Sequence, residues 1–234
     1  MRTDGTILKD FLIPLLLLAS LTALIAASGA DLSLESRFYV PGSGWVYADA
    51  TPWRSLYRFG VFPAFAIGVG SLWVIVAGFF SARARLYRKC AAFFLLLLLL
   101  GPGLLVNSVL KDHWGRPRPR QMQVFGGDRQ FHQVWERGEG GKGMSFPSGH
   151  ASAAFYLIAP YFVLRRRSRK WAGISLAAGL GYGVLMGIAR MAQGGHFPSD
   201  VVWAGGCVYL VGLVLSHLLR LDQDAIVLAK TEAD

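Results

Sequence analysis

Acid is scarce in this sequence: 14 Asp and Glu stand against 24 Lys and Arg, and charged residues of both signs make up only 16% of the 234 positions. So little charge beside 53% hydrophobic residues and a mean hydropathy of +0.41 excludes an ordinary soluble domain. Cysteine is nearly missing too. Cys90 and Cys207 show no metal-ligand spacing and read as small apolar side chains. No internal repeat and no separate soluble domain is evident.

What is present is apolar length. Crossing a hydrocarbon core takes about 20 mostly apolar residues, in a helix because only a helix satisfies its own backbone there. Candidate spans lie at about 11–28, 59–80, 91–110, 147–164, 171–189 and 198–219. The expected fold class is therefore all-α, a polytopic membrane bundle of six transmembrane helices with short interfacial helices. The first span ends at Ser28-Gly29-Ala30, which resembles a signal-peptide cleavage site. Its apolar stretch is long for a signal sequence, and Asp4 and Asp10 offset Arg2 and Lys9, so it is read as an uncleaved helix.

Orientation follows from the short loops. Arg83, Arg85, Arg88 and Lys89 fill the connection after span two, and Arg165, Arg166, Arg167, Arg169 and Lys170 fill the one after span four; short basic loops stay cytoplasmic. Both termini then lie inside, and the connections after spans one, three and five face outward. Cys90 and Cys207 cannot be bridged on this topology. The formal net charge of +10 invites a nucleic-acid partner, but nine of the 24 basic residues sit in those two inner loops, where anionic lipid headgroups account for them. No nucleic-acid partner is expected.

Two outer segments stand out. Residues 29–57 carry Phe38, Tyr39, Trp45, Tyr47, Trp53 and Tyr57, which suits a chain lying along the membrane interface. The 111–146 loop is the longest polar stretch, and Gly126-Gly127 with Gly138, Gly140, Gly141 and Gly143 predict flexibility suited to reading a headgroup.

Three polar clusters fall on the outer side at helix ends. Lys111 and Arg118-Pro119 follow span three; alone, a row of cations at a helix C-terminus is dipole compensation and snorkelling. Here Pro117 and Pro119 stiffen the backbone around Arg118, whose guanidinium matches phosphate oxygens in pairs. Ser145-Phe146-Pro147-Ser148-Gly149-His150 opens span four. Ser148 can simply cap that helix, yet a helix N-terminus offers free N–H groups to an anion, Gly149 permits close approach, and His150 can donate a proton near neutral pH. Arg190-x5-His196-x3-Asp200 joins spans five and six. Pro198 starts span six, so Asp200 falls in its first turn, where its carboxylate can accept from Nδ1–H of His196 and leave Nε2 free as a nucleophile. His113 and His132 read as ordinary loop residues, and His217 as an inner-end residue.

These three segments, in this order, resemble the three motifs of the type 2 phosphatidic acid phosphatase superfamily over about 90 residues, from Lys111 to Asp200. The resemblance implies a single integral membrane phosphatase domain over 1–234, with the motif-bearing core at 105–219. It implies His196 as nucleophile, Asp200 orienting it and His150 protonating the leaving oxygen. Lys111, Arg118, Arg190, Ser148 and the Gly149 backbone would hold the phosphate. Such a site implies no metal and no cofactor, and a phosphorylated membrane lipid as substrate. The chain departs from the family pattern at Ala189, where Ser usually precedes the third-motif Arg. Gly115-Arg116-Pro117-Arg118-Pro119-Arg120, Phe125-Gly126-Gly127 and Val134-Trp135 resemble the lipid A phosphatases, with undecaprenyl diphosphate, phosphatidylglycerophosphate and phosphatidate as alternatives. A non-catalytic scaffold or transporter on the same fold, or a haloperoxidase, are the rival classes.

Overall fold

The computed structural model describes residues 4–139 and 143–221. The N-terminal Met and the C-terminal Asp234, which the sequence places inside, lie outside the described residues, as do Gly140 and Gly141. The protein is mostly helical, and among the described residues five helices are long and apolar enough to cross a membrane. Helix α1 spans Asp4–Ser28. Gly29, at φ 63, turns the chain into the short α2 (Ala30–Glu35); a side chain would strain that left-handed backbone. A two-residue antiparallel ribbon follows, pairing β1 (Tyr39–Val40) with β2 (Gly44–Trp45).

Span two begins earlier than its hydropathy suggests. It consists of α3 (Trp53–Phe59) and α4 (Phe62–Ala77), bent at Gly60 and Val61. Pro63 in the first turn of α4 has no N–H to continue the preceding helix, which accounts for the break. After the small α5 (Ala82–Arg85), span three runs as α6 (Arg88–Leu98), a π-helical stretch over Leu99–Leu110, and α7 (Lys111–Trp114). The wide turn is held by side chains as well as backbone: Asn107 Nδ2 donates to the Pro102 carbonyl five residues back at 2.7 Å.

Span four differs most from expectation. Gly149–Leu164 is one short apolar helix that is not α throughout; α8 (Gly149–Phe155) and α9 (Ala159–Leu164) are joined by a 3₁₀ turn at Tyr156–Ile158. Pro160 removes an N–H and crowds the carbonyl one turn earlier, so the helix tightens just before it. This broken helix forms the centre of the bundle, with Phe155, Tyr156, Ile158 and Phe162 buried between α10 (Arg169–Ala192) and α11 (Pro198–Leu218). Close packing depends on absent side chains. Gly183 lies against the Phe155 ring and Gly212 against Phe162, so a methyl at either would collide. Leu16, Leu24, Phe65, Val69, Trp73 and Val184 are exposed outside that core, the pattern of a surface solvated by lipid.

At one end of the bundle, Asp10 meets His217 Nε2 at 3.3 Å and Arg165 Nη1 at 4.0 Å. The start of α1, the basic loop after α9 and the end of α11 therefore share a side, as the loop charges predict. At the other end, segment 29–57 does not simply lie along an interface. It folds onto the motif loops: Trp45 presses on Gly194, Gln193 Nε2 donates to the Ala48 carbonyl at 3.3 Å, and Tyr39, Trp45 and Phe125 pack ring to ring. The glycines of the 111–146 loop also work differently from the sequence expectation. Gly127 lies against the Gln121 backbone, and Gly138 and Gly143 against Gly115, so these positions allow close approach where flexibility was expected. Cys207 is a buried free thiol.

Candidate active site

Each motif residue is delivered by a helix end. Lys111 is the first residue of α7, where the π stretch returns to an α-helix. Arg118 lies in extended backbone ahead of Pro119, its N–H donating to Gln121 Oε1 at 2.8 Å. Ser148 caps α8, with Oγ accepting from Ala151 N–H at 3.4 Å and its own N–H donating to the Asp200 carbonyl at 3.3 Å. Gly149 packs so closely on the Asn107 amide that a side chain there would collide. Arg190 ends α10, and Pro198 opens α11 so that Asp200 falls in its first turn. Arg120 N–H donates to the Gly194 carbonyl at 3.1 Å, tying the first motif to the third.

The predicted residues come together. Lys111, Arg118 and Arg190 all lie within electrostatic reach of both His150 and His196. Arg190 is buried, and one of its guanidinium nitrogens is bound by Gln193. Its Nε has no hydrogen-bond partner among the described residues. A buried guanidinium N–H left open within a cluster of cations marks a place for an anion.

His196 is only 1% exposed. Burial, then the charges of Arg190, Lys111 and Arg118, push its imidazole well below the ordinary value, so the ring is neutral. The sequence expectation for its partner is corrected here. Nδ1 is 2.5 Å from the Ser145 carbonyl and 3.9 Å from Asp200 Oδ2, too far for a hydrogen bond. A carbonyl only accepts, so Nδ1 carries the proton and Nε2 keeps its lone pair. Because the ring is neutral, the Asp200 contact is no ion pair.

Asp200 is occupied elsewhere. Oδ2 accepts from Phe197 N–H at 2.8 Å and Ser145 Oγ at 2.5 Å, while Oδ1 accepts from Arg116 Nη1 at 2.6 Å. Arg116 is fully buried, although in the sequence it stands only as one cation of the Gly115–Arg120 segment, with no role of its own. Its Nε donates to the His132 carbonyl at 2.9 Å, Nη1 also to Ser199 Oγ at 2.8 Å, and Nη2 to Asp31 Oδ2 at 2.8 Å. Asp31 further accepts from Ser199 N–H at 2.9 Å and Ser199 Oγ at 2.6 Å. One guanidinium thus clamps α2, the long loop and α11. Asp31 carried no signal in the sequence, since nothing local distinguishes it from an interfacial acid. Glu35 lies beside this network, fully buried, with both oxygens unpartnered among the described residues. Burial, then Asp200 and Asp31, hold its carboxyl well above the usual carboxylate range, with Arg116 opposing.

Among the described residues no group of His, Cys, Asp and Glu side chains has the arrangement to hold a metal ion. His113 Nδ1 lies 2.9 Å from the Val109 carbonyl on an exposed surface.

The sequence matches the PAP2 superfamily over residues 90–223. It is 39% identical over 159 residues to the lipid A 4'-phosphatase of Francisella tularensis subsp. novicida (strain U112), covering 68% of this chain and 71% of that protein. It is 30% identical over 218 residues to the lipid A 4'-phosphatase of Rhizobium leguminosarum, covering 84% and 91%. It is 32% identical over 159 residues to the phosphatidylglycerophosphatase B of Bacillus subtilis (strain 168), covering 66% and 69%. No solved structure matches the chain at a significant level.

Proposed function

The chain belongs to the PAP2 superfamily, and on that premise we propose that it is a lipid phosphatase acting through a phosphohistidine at His196, on a phosphomonoester of a lipid A-type glycolipid. The observation that carries the lipid reading is a groove of about 520 Å3 between α4 and the α6–π helix. Phe65, Val69, Leu72, Leu98 and Leu99 line its apolar length, and Lys111 and His150 stand at its polar end. An acyl chain fits the first part and a phosphate the second, which is the shape of an amphiphile entering sideways from the bilayer.

In the mechanism that this geometry supports, Lys111, Arg118 and Arg190 hold the phosphate oxygens, with the Ser148 and Gly149 helix start beside them. His196 Nε2 donates its lone pair to phosphorus as the bond to the leaving oxygen breaks, and His150, which takes up a proton as the anionic phosphate settles among the cations, gives that proton to the leaving oxygen. Water then attacks the phosphohistidine, passing a proton to His150 as the P–N bond breaks and phosphate leaves. Fixed cations neutralise the charge that builds on the phosphoryl oxygens, so the reaction needs no metal. The positive-inside loops support a site that opens to the outer face of a bacterial inner membrane.

Similarity to the two lipid A 4'-phosphatases favours the glycolipid, while the Bacillus relative supports a second reading, a glycerophospholipid phosphomonoester. The test is phosphate release in detergent from lipid A, phosphatidylglycerophosphate, phosphatidate and undecaprenyl diphosphate, with EDTA and with vanadate. Lipid A is expected to turn over fastest, unaffected by EDTA and inhibited by vanadate, which adopts the trigonal-bipyramidal form of the transition state. Release from none of the lipids, or activity that chelation abolishes, overturns the reading.

A further inference from the structure

The two site histidines are held in different ways. His196 is fixed by the Ser145 carbonyl. Neither ring nitrogen of His150 has a hydrogen-bond partner among the described residues; its ring stacks on Tyr57, at 4.7 Å between centroids and 28° between planes. The same tyrosine ring carries the Arg190 guanidinium 4.6 Å from its centroid. We propose that Tyr57 is a positioning residue, an aromatic platform that sets the plane of the His150 imidazole for proton transfer to the leaving oxygen and keeps it in register with Arg190. The proposal rests on the phosphatase reading and adds to it a residue from outside the three motifs.

The platform is itself anchored to the site. Tyr57 sits in α3, and the Gly60 carbonyl at the end of that helix accepts from Tyr182 Oη at 2.9 Å, with Met186 packed against Gly60. Tyr182 and Met186 lie on α10, which carries Arg190. One rigid helix therefore fixes both the platform and the guanidinium. Proton transfer requires His150 to point a ring nitrogen at the leaving oxygen, and a ring held by stacking keeps its plane while both nitrogens stay open. The Tyr57 hydroxyl donates to and accepts from nothing among the described residues, so the work belongs to the ring.

That distinction gives the experiment. Turnover is measured for two detergent-dispersed substrates with equal chains: hexadecyl phosphate, whose alkoxide must be protonated, and a hexadecyl-substituted nitrophenyl phosphate, whose phenolate leaves without help. Tyr57→Ala is expected to lower kcat for the alkyl ester about tenfold or more, part of the ~100- to 10,000-fold that a placed general acid supplies. The aryl ester should change less than about threefold, and Tyr57→Phe should match wild type on both. In a His150→Ala background, Tyr57→Ala should have no further effect on the alkyl ester, because the group it positions is gone.

Equal loss on both esters assigns Tyr57 to Arg190 or to folding, and overturns the proposal. So does additivity with His150→Ala, or no loss at all. Where Tyr57→Ala fails to fold, Tyr57→Leu, which keeps apolar bulk without a π face, takes its place in the same comparison. Failure of wild type to cleave either ester counts against the phosphatase reading itself, whereas an active enzyme indifferent to Tyr57 removes only the platform.

Discussion

Asp200 lies four residues after His196, yet its Oδ2 is 3.9 Å from Nδ1, while the Ser145 carbonyl is 2.5 Å away. The cause is local. Asp200 sits in the first turn of α11 and turns back to accept the Phe197 N–H, as an acid in a first turn does. The carboxylate then reaches His196 through Ser145, whose hydroxyl donates to it and whose carbonyl accepts the hydrogen bond from His196 Nδ1–H. Asp200 also balances Arg116, so it serves both His196 and the clamp that joins three segments.

His196→Ala is expected to abolish turnover while the purified protein keeps its elution position and thermal transition, because in the proposed mechanism His196 Nε2 forms the covalent bond. Activity within about tenfold of wild type in a phosphate-release assay contradicts the assignment. His150→Ala should leave slow activity that depends steeply on the basicity of the leaving group.

Asp31→Ala should be far more damaging than an exposed acid, since it removes one of the two carboxylates that neutralise a fully buried Arg116. The expected loss is about 3–5 kcal/mol, the range for breaking one side of a buried ion pair. Arg116→Lys should cost a similar amount, because a single ammonium cannot reproduce four guanidinium contacts. Thermal unfolding in detergent measures both. A loss of less than about 1 kcal/mol for either would place the clamp among exposed ion pairs.

The neutral His196 predicts a sign for pH. Its folded-state value lies well below 6.5, so the acid limb of kcat/KM, corrected for substrate ionisation, should fall below pH 6.5. An acid limb at or above pH 6.5 is the contrary result. The unfolded chain takes up the proton first as pH falls through 6.5, so His196 makes stability drop in that direction. Glu35 acts oppositely. Its raised value means that the unfolded chain loses its proton first as pH rises above 4.5, so stability falls on the alkaline side. Glu35→Gln should flatten that alkaline loss in thermal melts taken across the pH range.

Sidedness is tested with Glu136→Cys, at an exposed position in the 111–146 loop, in a background where Cys90 and Cys207 are replaced by Ala. A membrane-impermeant maleimide is expected to label it in intact spheroplasts, and a reporter fused after Asp234 to behave as cytoplasmic. Labelling only after lysis reverses the topology.

Sequence alone determined what depends on neighbours along the chain. Apolar runs long enough to cross a bilayer, basic loops, and the residues at Lys111, Ser148, His150, Arg190 and His196 are all local patterns, because helix length, charge at helix ends and motif spacing are set within a turn or two. The tertiary structure decided what depends on chain segments meeting. Arg116 lies 85 residues from Asp31 and 84 from Asp200, and nothing near any of them in sequence announces the pairing. Likewise Tyr57 looks like one more interfacial aromatic until α3 docks on α10 and brings its ring to His150. The i,i+4 spacing of His196 and Asp200 was legible but pointed to the wrong contact, since the open N-terminus of α11 competes for the same carboxylate oxygen, and only the packed helix end shows which partner prevails.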